Sequence, residues 1–398
     1  MITKNNIPAG YKDSAVGIIP QEWEVDRLGE ICLTFKSGTT ITSQSIKESG
    51  LYPVYGGNGL RGYTDSYTHN GDYILIGRQG ALCGNINFIR GKAYISEHAI
   101  AVQPNESNSI EFLRYKLDFW NLNRFSESSA QPGLSVEKLV RYKLAVPPLA
   151  EQRKIAEILG VWDEAIEKQS RLIDKLELRK RALMQRLLTG RTRLPGFTTP
   201  WQKVKLGEIG KFDKGVGVPK EKIVSEGCKA ITYGEIYTKY DYVIKDFASY
   251  IDSDTAQTSK QISSGAIIFA GSGETLEDIG KCVAFIDNDK AYAGGDIIIF
   301  NPSIEVDSLV LSYILNSPIV IAQKRRYGQG HSVVHIYQKD LARIEFELPS
   351  LPEQKAIAEV LTTADDEIAT HRKKLDTLRL QKRGLMQQLL TGKTRVKI

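Results

Sequence analysis

Side chains able to hold a polyanion and to read flat heterocyclic edges fall in two groups, one in each half of the chain. The first comprises Tyr55, Asn58, Arg61, Tyr63, Arg78, Gln79 and Asn85, in or beside the glycine-rich stretches Tyr55-Gly56-Gly57-Asn58-Gly59-Leu60-Arg61-Gly62-Tyr63 and Gly77-Arg78-Gln79-Gly80. The second comprises Lys214, Lys220, Lys222, Tyr237, Lys239, Lys324, Arg325, Arg326, Tyr327 and Gln329, with Tyr240 nearby. Lysine and arginine pair with phosphate, and arginine, asparagine and glutamine make paired hydrogen bonds to base edges. Any one such residue is more often plain solvated surface. The weight therefore rests on the Arg61 and Arg78 loops and the 324–327 cluster, where donors sit beside glycines that let backbone approach a ligand.

Two motifs could carry other chemistry. Phe269-Ala270-Gly271-Ser272-Gly273 is similar to the Phe-x-Gly-x-Gly loop that cradles S-adenosylmethionine in methyltransferases. A glycine turn after a strand can hold a cofactor. No acid placed to bind a ribose follows it, no Asn-Pro-Pro-aromatic motif occurs, and the corresponding first-half turn, Gly77-Arg78-Gln79-Gly80, has different chemistry. His331 and His335 are four apart, a spacing that binds zinc on a helix. Gly328, Gly330, Val333 and Val334 favour loop and strand there instead, and no glutamate follows His331. Walker A, nucleophile-elbow and His-Glu-x-x-His patterns are absent from the sequence. The expectation is no catalytic residue, no metal and no cofactor on this chain, and a binding surface.

These residues need a scaffold, and the sequence carries one twice. A segment running from Leu149-Ala150-Glu151-Gln152-Arg153-Lys154-Ile155-Ala156-Glu157 to Leu187-Leu188-Thr189-Gly190-Arg191-Thr192-Arg193 recurs without a gap, 202 residues on, from Leu351 to Arg395. In the first copy Ile155, Leu159, Trp162, Ile166, Gln169, Ile173, Leu176, Lys180, Leu183 and Leu187 are spaced alternately by four and three. The second copy gives Ile357, Leu361, Ala364, Ile368, His371, Leu375, Leu378, Lys382, Leu385 and Leu389. This narrow seam predicts two long helices that pack on each other as a coiled coil, with the polar positions Gln169/His371 and Lys180/Lys382 available to set register. The competing arrangement lays each helix on its own globular part. Prolines precede both segments, Glu151 and Glu353 sit at the positive ends, and Gly190 and Gly392 stand at the C-caps.

The repeat extends further. Trp23-Glu24-Val25-Asp26-Arg27-Leu28-Gly29-Glu30-Ile31 is echoed by Trp201-Gln202-Lys203-Val204-Lys205-Leu206-Gly207-Glu208-Ile209. The duplicated unit thus starts at a tryptophan and ends with a long helix, and its globular parts have diverged more than its helices. Residues 1–22 read as an arm. In the first part, strands are expected at 73–80, 84–89, 99–102 and 142–146 and a helix at 110–122. In the second, strands are expected at 266–271, 296–300 and 344–348 and a helix at 306–323. The fold class is α+β, organised as residues 1–148, helix 149–195, residues 196–350 and helix 351–398.

A chain of 398 residues allows two or three domains. A net charge of +6 hints only mildly at an anionic partner. Cys32, Cys83, Cys228 and Cys282 are scattered, without a Cys-x-x-Cys pair, so reduced thiols and a cytoplasmic setting are expected. Residues 1–10 lack the apolar core of a signal peptide, and no apolar run reaches membrane-spanning length.

The motifs at the ends of the two helices, Pro-Leu-x-Glu-Gln-x-x-Ile-Ala-x-x-Leu (148–159; 350–361, with Ser350 for the proline) and Leu-Met-Gln-x-Leu-Leu-Thr-Gly-x-Thr-Arg (183–193; 385–395), resemble those of the specificity subunits of type I restriction–modification systems. Gly17-Ile18-Ile19-Pro20-Gln21-Glu22-Trp23-Glu24-Val25 and the 55–62 loop add to the likeness, which covers essentially the whole chain. The resemblance implies two tandem target-recognition domains joined by two antiparallel helices with pseudo-twofold symmetry. It implies a non-catalytic subunit that reads a bipartite, asymmetric site on double-stranded DNA. It also implies partners: two methylation subunits, which would carry S-adenosylmethionine, and restriction subunits, which would use ATP and magnesium. The alternatives are a coiled-coil scaffold for protein partners and the specificity subunit of a related combined restriction–methylation system.

Overall fold

The computed structural model describes residues 7–80, 82–126, 133–330 and 332–398. The chain forms two compact units, residues 1–170 with 373–398, and residues 171–372. Each unit therefore holds one globular part, the start of one long helix and the end of the other.

In the first unit the chain enters through Glu24–Arg27 and leaves through Lys143–Val146, which pair antiparallel. Between them lies an antiparallel sheet in the order Cys32–Ser37, Ala99–Pro104, Tyr73–Gly77, Ile86–Ile89. Its two inner strands read as near-continuous apolar runs because both faces are covered. Ile74, Ile76, Ile100 and Val102 face Leu113 and Leu117 of the helix Ile110–Trp120. Leu75, Ala99 and Ala101 face the second sheet through Ala93 and Ile95. That second sheet runs Gly59–Thr64, Tyr52–Gly56, Lys92–Ile95, His69–Asn70, with its central pair parallel.

The second unit repeats the plan. Gln202–Lys205 pairs with Glu345–Leu348 at the entrance and exit. One sheet runs Gly210–Lys214, Ile297–Pro302, Ile267–Ala270, Cys282–Ala284. Ile267, Phe269, Ile298 and Phe300 pack with Val310, Leu311 and Ile314, while Ile268, Ala270, Ile297 and Ile299 pack with Ala291, Ala293 and Ile231. The helix expected over 306–323 is two helices, Ser308–Leu315 and Pro318–Tyr327. Pro318 has no N–H to give a preceding turn but suits a first turn, so the helix stops and restarts there.

The long helices are Leu149–Leu187 and Leu351–Leu390, 39 and 40 residues, each about 58 Å at 1.5 Å per residue. Both expected arrangements of the seam occur together at its ends. In the first unit Ile155 and Leu159 share one core with Met386, Leu389 and Leu390 and with Trp23, Phe112 and Tyr115 of the globular part. In the second, Ile357 and Leu361 do the same with Leu187, Leu188, Val310 and Tyr313. Within each unit, then, the start of one helix lies against the end of the other, an antiparallel pairing. Towards the middle, Ile173, Leu176, Ile368 and Leu375 are buried, while Trp162, Ile166, Leu183, Leu378 and Leu385 are half-buried. In the second unit Arg179 pairs with Glu367, and Arg372 with Glu177 at 2.6 Å.

The described part of the arm, 7–22, is docked. Tyr11–Lys12 pairs with Ile19–Pro20, Ile19 is buried, and the Tyr11 hydroxyl donates to the Gly392 carbonyl at 2.9 Å. All four cysteines are free, and burial pushes the Cys32 thiol up to about 12 and that of Cys282 up to about 11. Among the described residues no helix is long and apolar enough to cross a membrane.

Candidate nucleic-acid interface

The repeated end motifs build one joint in each unit. Gly190 and Gly392 adopt φ of 65° and 72°, the left-handed turn that ends a helix. The chain then folds back, with Thr192 N–H donating to Arg186 O and Thr394 N–H to Gln388 O. This return delivers the following arginine to the start of the other helix. Arg395 grips Glu151 through Nε at 2.8 Å and a second nitrogen at 2.9 Å. Arg193 grips Glu353 at 2.6 and 2.7 Å. The same carboxylates accept the indole N–H of Trp23 and Trp201, each at 3.0 Å. Both glutamates are about 1% exposed or less, so the fork of donors compensates a buried charge. The adjacent glutamine completes the joint. Gln152 accepts from Ser109 N–H and donates to Pro147 O, and Gln354 accepts from Asp307 N–H and donates to Pro349 O.

The polar seam lysines form a second repeated cluster. Lys382 pairs with Asp163 at 2.5 Å and lies over the Tyr115 ring, whose hydroxyl donates to the same carboxylate. Lys180, Asp365 and Tyr313 are arranged in the same way. Burial, then the bond to the carboxylate, raises both phenols well above the ordinary tyrosine range. In the second unit Tyr242 adds a further aromatic face over Lys180 at 4.5 Å.

Some of the candidate binding residues gather at the ends of strands in the two globular parts. In the first, Tyr52–Gly56 and Gly59–Thr64 form a hairpin carrying half-buried Tyr55 and Tyr63 and exposed Asn58 and Arg61. Its tip lies directly on the exit of Tyr73–Gly77. A Cβ on Gly57 would sit 2.6 Å from the His98 carbonyl, and one on Gly77 would sit 2.6 Å from the Gly57 carbonyl. Glycine is required at both. Arg78 N–H donates to His98 O, and the Gln79 carboxamide bonds the His98 ring at 3.2 Å. Exposed Asn85 ends the turn that follows, its carbonyl accepting from Gly77 N–H. The structure thus brings Asn58, Arg61, Arg78, Gln79 and Asn85 to one end of the domain, with His98, which sequence reasoning did not single out.

In the second part the structure brings together Tyr237, Gln329 and His335. Tyr237 donates its hydroxyl to Ser272 O at 3.1 Å, Gln329 pairs its backbone with His335, and His335 Nδ1 bonds Ser272 Oγ at 2.9 Å. The Gly271–Gly273 stretch compared above with a cofactor loop is used here as a short strand, Ser272–Gly273 paired with Val334–His335. His331 lies outside the described residues. Lys214 ends a strand, Lys220 and Lys222 lie in the short helix Lys220–Lys222, and Lys239 follows the helix Tyr233–Thr238; all four are exposed. Arg325 is paired with Glu277 at 2.7 Å, Arg326 is exposed and Tyr327 is half-buried. Lys324 is a correction to the surface assignment: it is 1% exposed, its ammonium donates to Gly280 O at 2.6 Å, and burial lowers its pKa. Four residues of helical spacing turned it inward while Arg325 and Arg326 turned out. Among the described residues, Arg61, Arg78, Lys214, Lys220 and Arg326 have no acidic partner in the chain, as donors awaiting an external anion would.

The description "Type I restriction modification DNA specificity domain" belongs to a family model that matches residues 20–178 and 198–380. The chain belongs to this family. The match is double, and its two parts coincide with the two copies of the repeat. This specificity subunit is 42% identical over 159 residues to the EcoprrI specificity subunit of Escherichia coli, across 38% of this chain and 39% of that one. It is 25% identical to the MjaVIII specificity subunit of Methanocaldococcus jannaschii over 95% of this chain and 94% of that one. In fold, it resembles the type I S subunit from M. genitalium, with a TM-score of 0.61 at 15% identity over 98% of both chains. A chain from a structure of type I complex assembly gives 0.60 at 18% identity, over 94% of this chain and 99% of that one.

Proposed function

We propose that this specificity subunit reads a bipartite, asymmetric site on double-stranded DNA, one half with each globular part. The observation that carries this is the contrast between the two copies. The Trp–Glu–Arg joints and the Lys–Asp–Tyr clusters are the same in both, while the strand-exit loops carry different side chains. One frame presents two different readers, so the two half-sites differ and the target is not a palindrome. The long helices act as the ruler that sets the spacing between the two half-sites on the DNA. A helix of about 58 Å is long on the scale of a DNA turn of roughly 34 Å.

The subunit itself is non-catalytic, and its partners are two methylation subunits and, in the complete enzyme, restriction subunits. S-adenosylmethionine, ATP and magnesium belong to those partners. Leu178 and Leu380 support docking of two copies of one subunit: they occupy matched positions in the two helices and are 62% and 68% exposed. The chain is to be co-expressed with a neighbouring adenine-methylating subunit and methylated adenines mapped across a genome. Methylation confined to one two-part motif is expected. Methylation without a motif, or on a contiguous palindrome, would refute the reading.

A further inference from the structure

The two copies within one chain allow scaffold and specificity positions to be told apart without any other sequence. Positions that hold the fold keep the same residues in both, as Trp23/Trp201, Glu151/Glu353 and Arg395/Arg193 do. One place keeps its geometry and changes its chemistry. Ala99 pairs with Gly77, and Ile297 with Ala270, so Gln79 and Ser272 are both the second residue past the end of the same strand. In both, the residue just before them donates its N–H to the carbonyl that precedes the central strand, Arg78 to His98 and Gly271 to Asp296. At that point each domain carries a polar side chain hydrogen-bonded to an imidazole, but the imidazole comes from unrelated parts of the chain. In the first, His98 Nδ1 bonds exposed Gln79 at 3.2 Å, and its Nε2 lies 3.3 Å from Glu97. In the second, Ser272, 3% exposed, bonds Nδ1 of half-buried His335, whose backbone is tied both ways to Gln329.

We propose that these pairs set the specificity of the two half-sites: His98 positions Gln79 as a base reader in the first domain, and Ser272 positions His335 in the second. A free glutamine has several rotatable bonds, and paired recognition of a base edge needs its amide in one plane and one direction. Anchoring one lone pair of Oε1 on the Nδ1–H of the imidazole fixes that plane. The amide hydrogens and the other lone pair stay available. A serine hydroxyl on Nδ1 fixes the His335 ring in the same sense and leaves Nε2 as the ring's second hydrogen-bonding atom.

This inference rests on the bipartite reading, and the experiment separates the two. Complexes of the full chain with its methylation partners are to be selected against randomised duplexes and the bound sequences counted. The variants are Gln79→Ala, His98→Ala, His98→Asn, Ser272→Ala and His335→Ala. Expected is a loss of discrimination of about tenfold or more, from the 1–3 kcal/mol that a paired base contact carries, at one or two base pairs of one half. Gln79→Ala and His98→Ala should relax the same positions. His98→Asn, which keeps a donor near the place of Nδ1, should restore them. Ser272→Ala and His335→Ala should relax positions only in the other half. Uniform weakening across all sequences, or unchanged discrimination in His98→Ala, would overturn the proposal. A wild-type complex with no sequence preference would overturn the bipartite reading instead.

Discussion

Buried charge at the helix ends is where single residues matter most. Glu353 is buried, and Arg193 and Trp201 donate to its carboxylate. Removing the arginine leaves a buried carboxylate uncompensated, so Arg193→Met should destabilise the second unit, whereas the double change with Glu353→Gln should cost less. Chemical denaturation of both variants measures this. Lys116 offers a pH test. It is buried, donates to Leu390 O at 2.5 Å, and burial lowers its pKa from 10.5 to about 8. The unfolded chain therefore binds more protons at this site between pH 8 and 10.5. The lysine's contribution to stability is unfavourable at pH 7 and improves as pH rises through that window. Wild type should gain stability relative to Lys116→Met by up to roughly 3 kcal/mol from pH 7 to pH 10.5, read by denaturation at a series of pH values. A pH-independent difference would show that the ammonium is not held in a low-polarity site.

At the level of elements, the long helices were legible in the sequence because a four–three seam has few other readings, and their ends were marked by proline, glutamate and glycine. The partner of each marker was not legible. Glu151 and Glu353 read as charges complementing a helix terminus, yet each is a socket for the arginine that follows the other helix. The signal was present, since Trp, Glu and Arg all recur at matched positions, but spacing within one helix cannot say what meets it across the fold. The same limit misplaced Lys324, whose cluster looks basic in sequence and divides between core and surface in space. It also missed His98, a lone histidine beside no motif. The polar seam lysines were legible as register-setters, and the structure gives each an aspartate on the other helix. Lys180→Met should therefore strand Asp365 and lower stability, and Lys180→Met with Asp365→Leu should recover most of the loss. Failure of the second change to recover stability would argue that the cation–π contacts with Tyr242 and Tyr313 hold the lysine's share.

For the whole molecule, the duplication was readable and so was the α+β class, because apolar strands ending in glycine turns occur in the same order in both halves. The candidate binding residues were readable only as residue types. Loops from three parts of the sequence meet at each strand exit, and no periodicity announces that. The ruler has its own test. Four residues, about one helical turn, inserted at matched positions in both long helices should lengthen the gap between half-sites and leave both half-sites unaltered; an unchanged gap would refute it. The central claim, two independent readers on one repeated frame, is tested most directly by exchanging residues 23–148 for the corresponding segment of another specificity subunit and mapping methylated sites of the assembled complex. The account predicts that one half-site changes to that of the donor while the other half and the spacing stay the same. A change in both halves, or in neither, would contradict it.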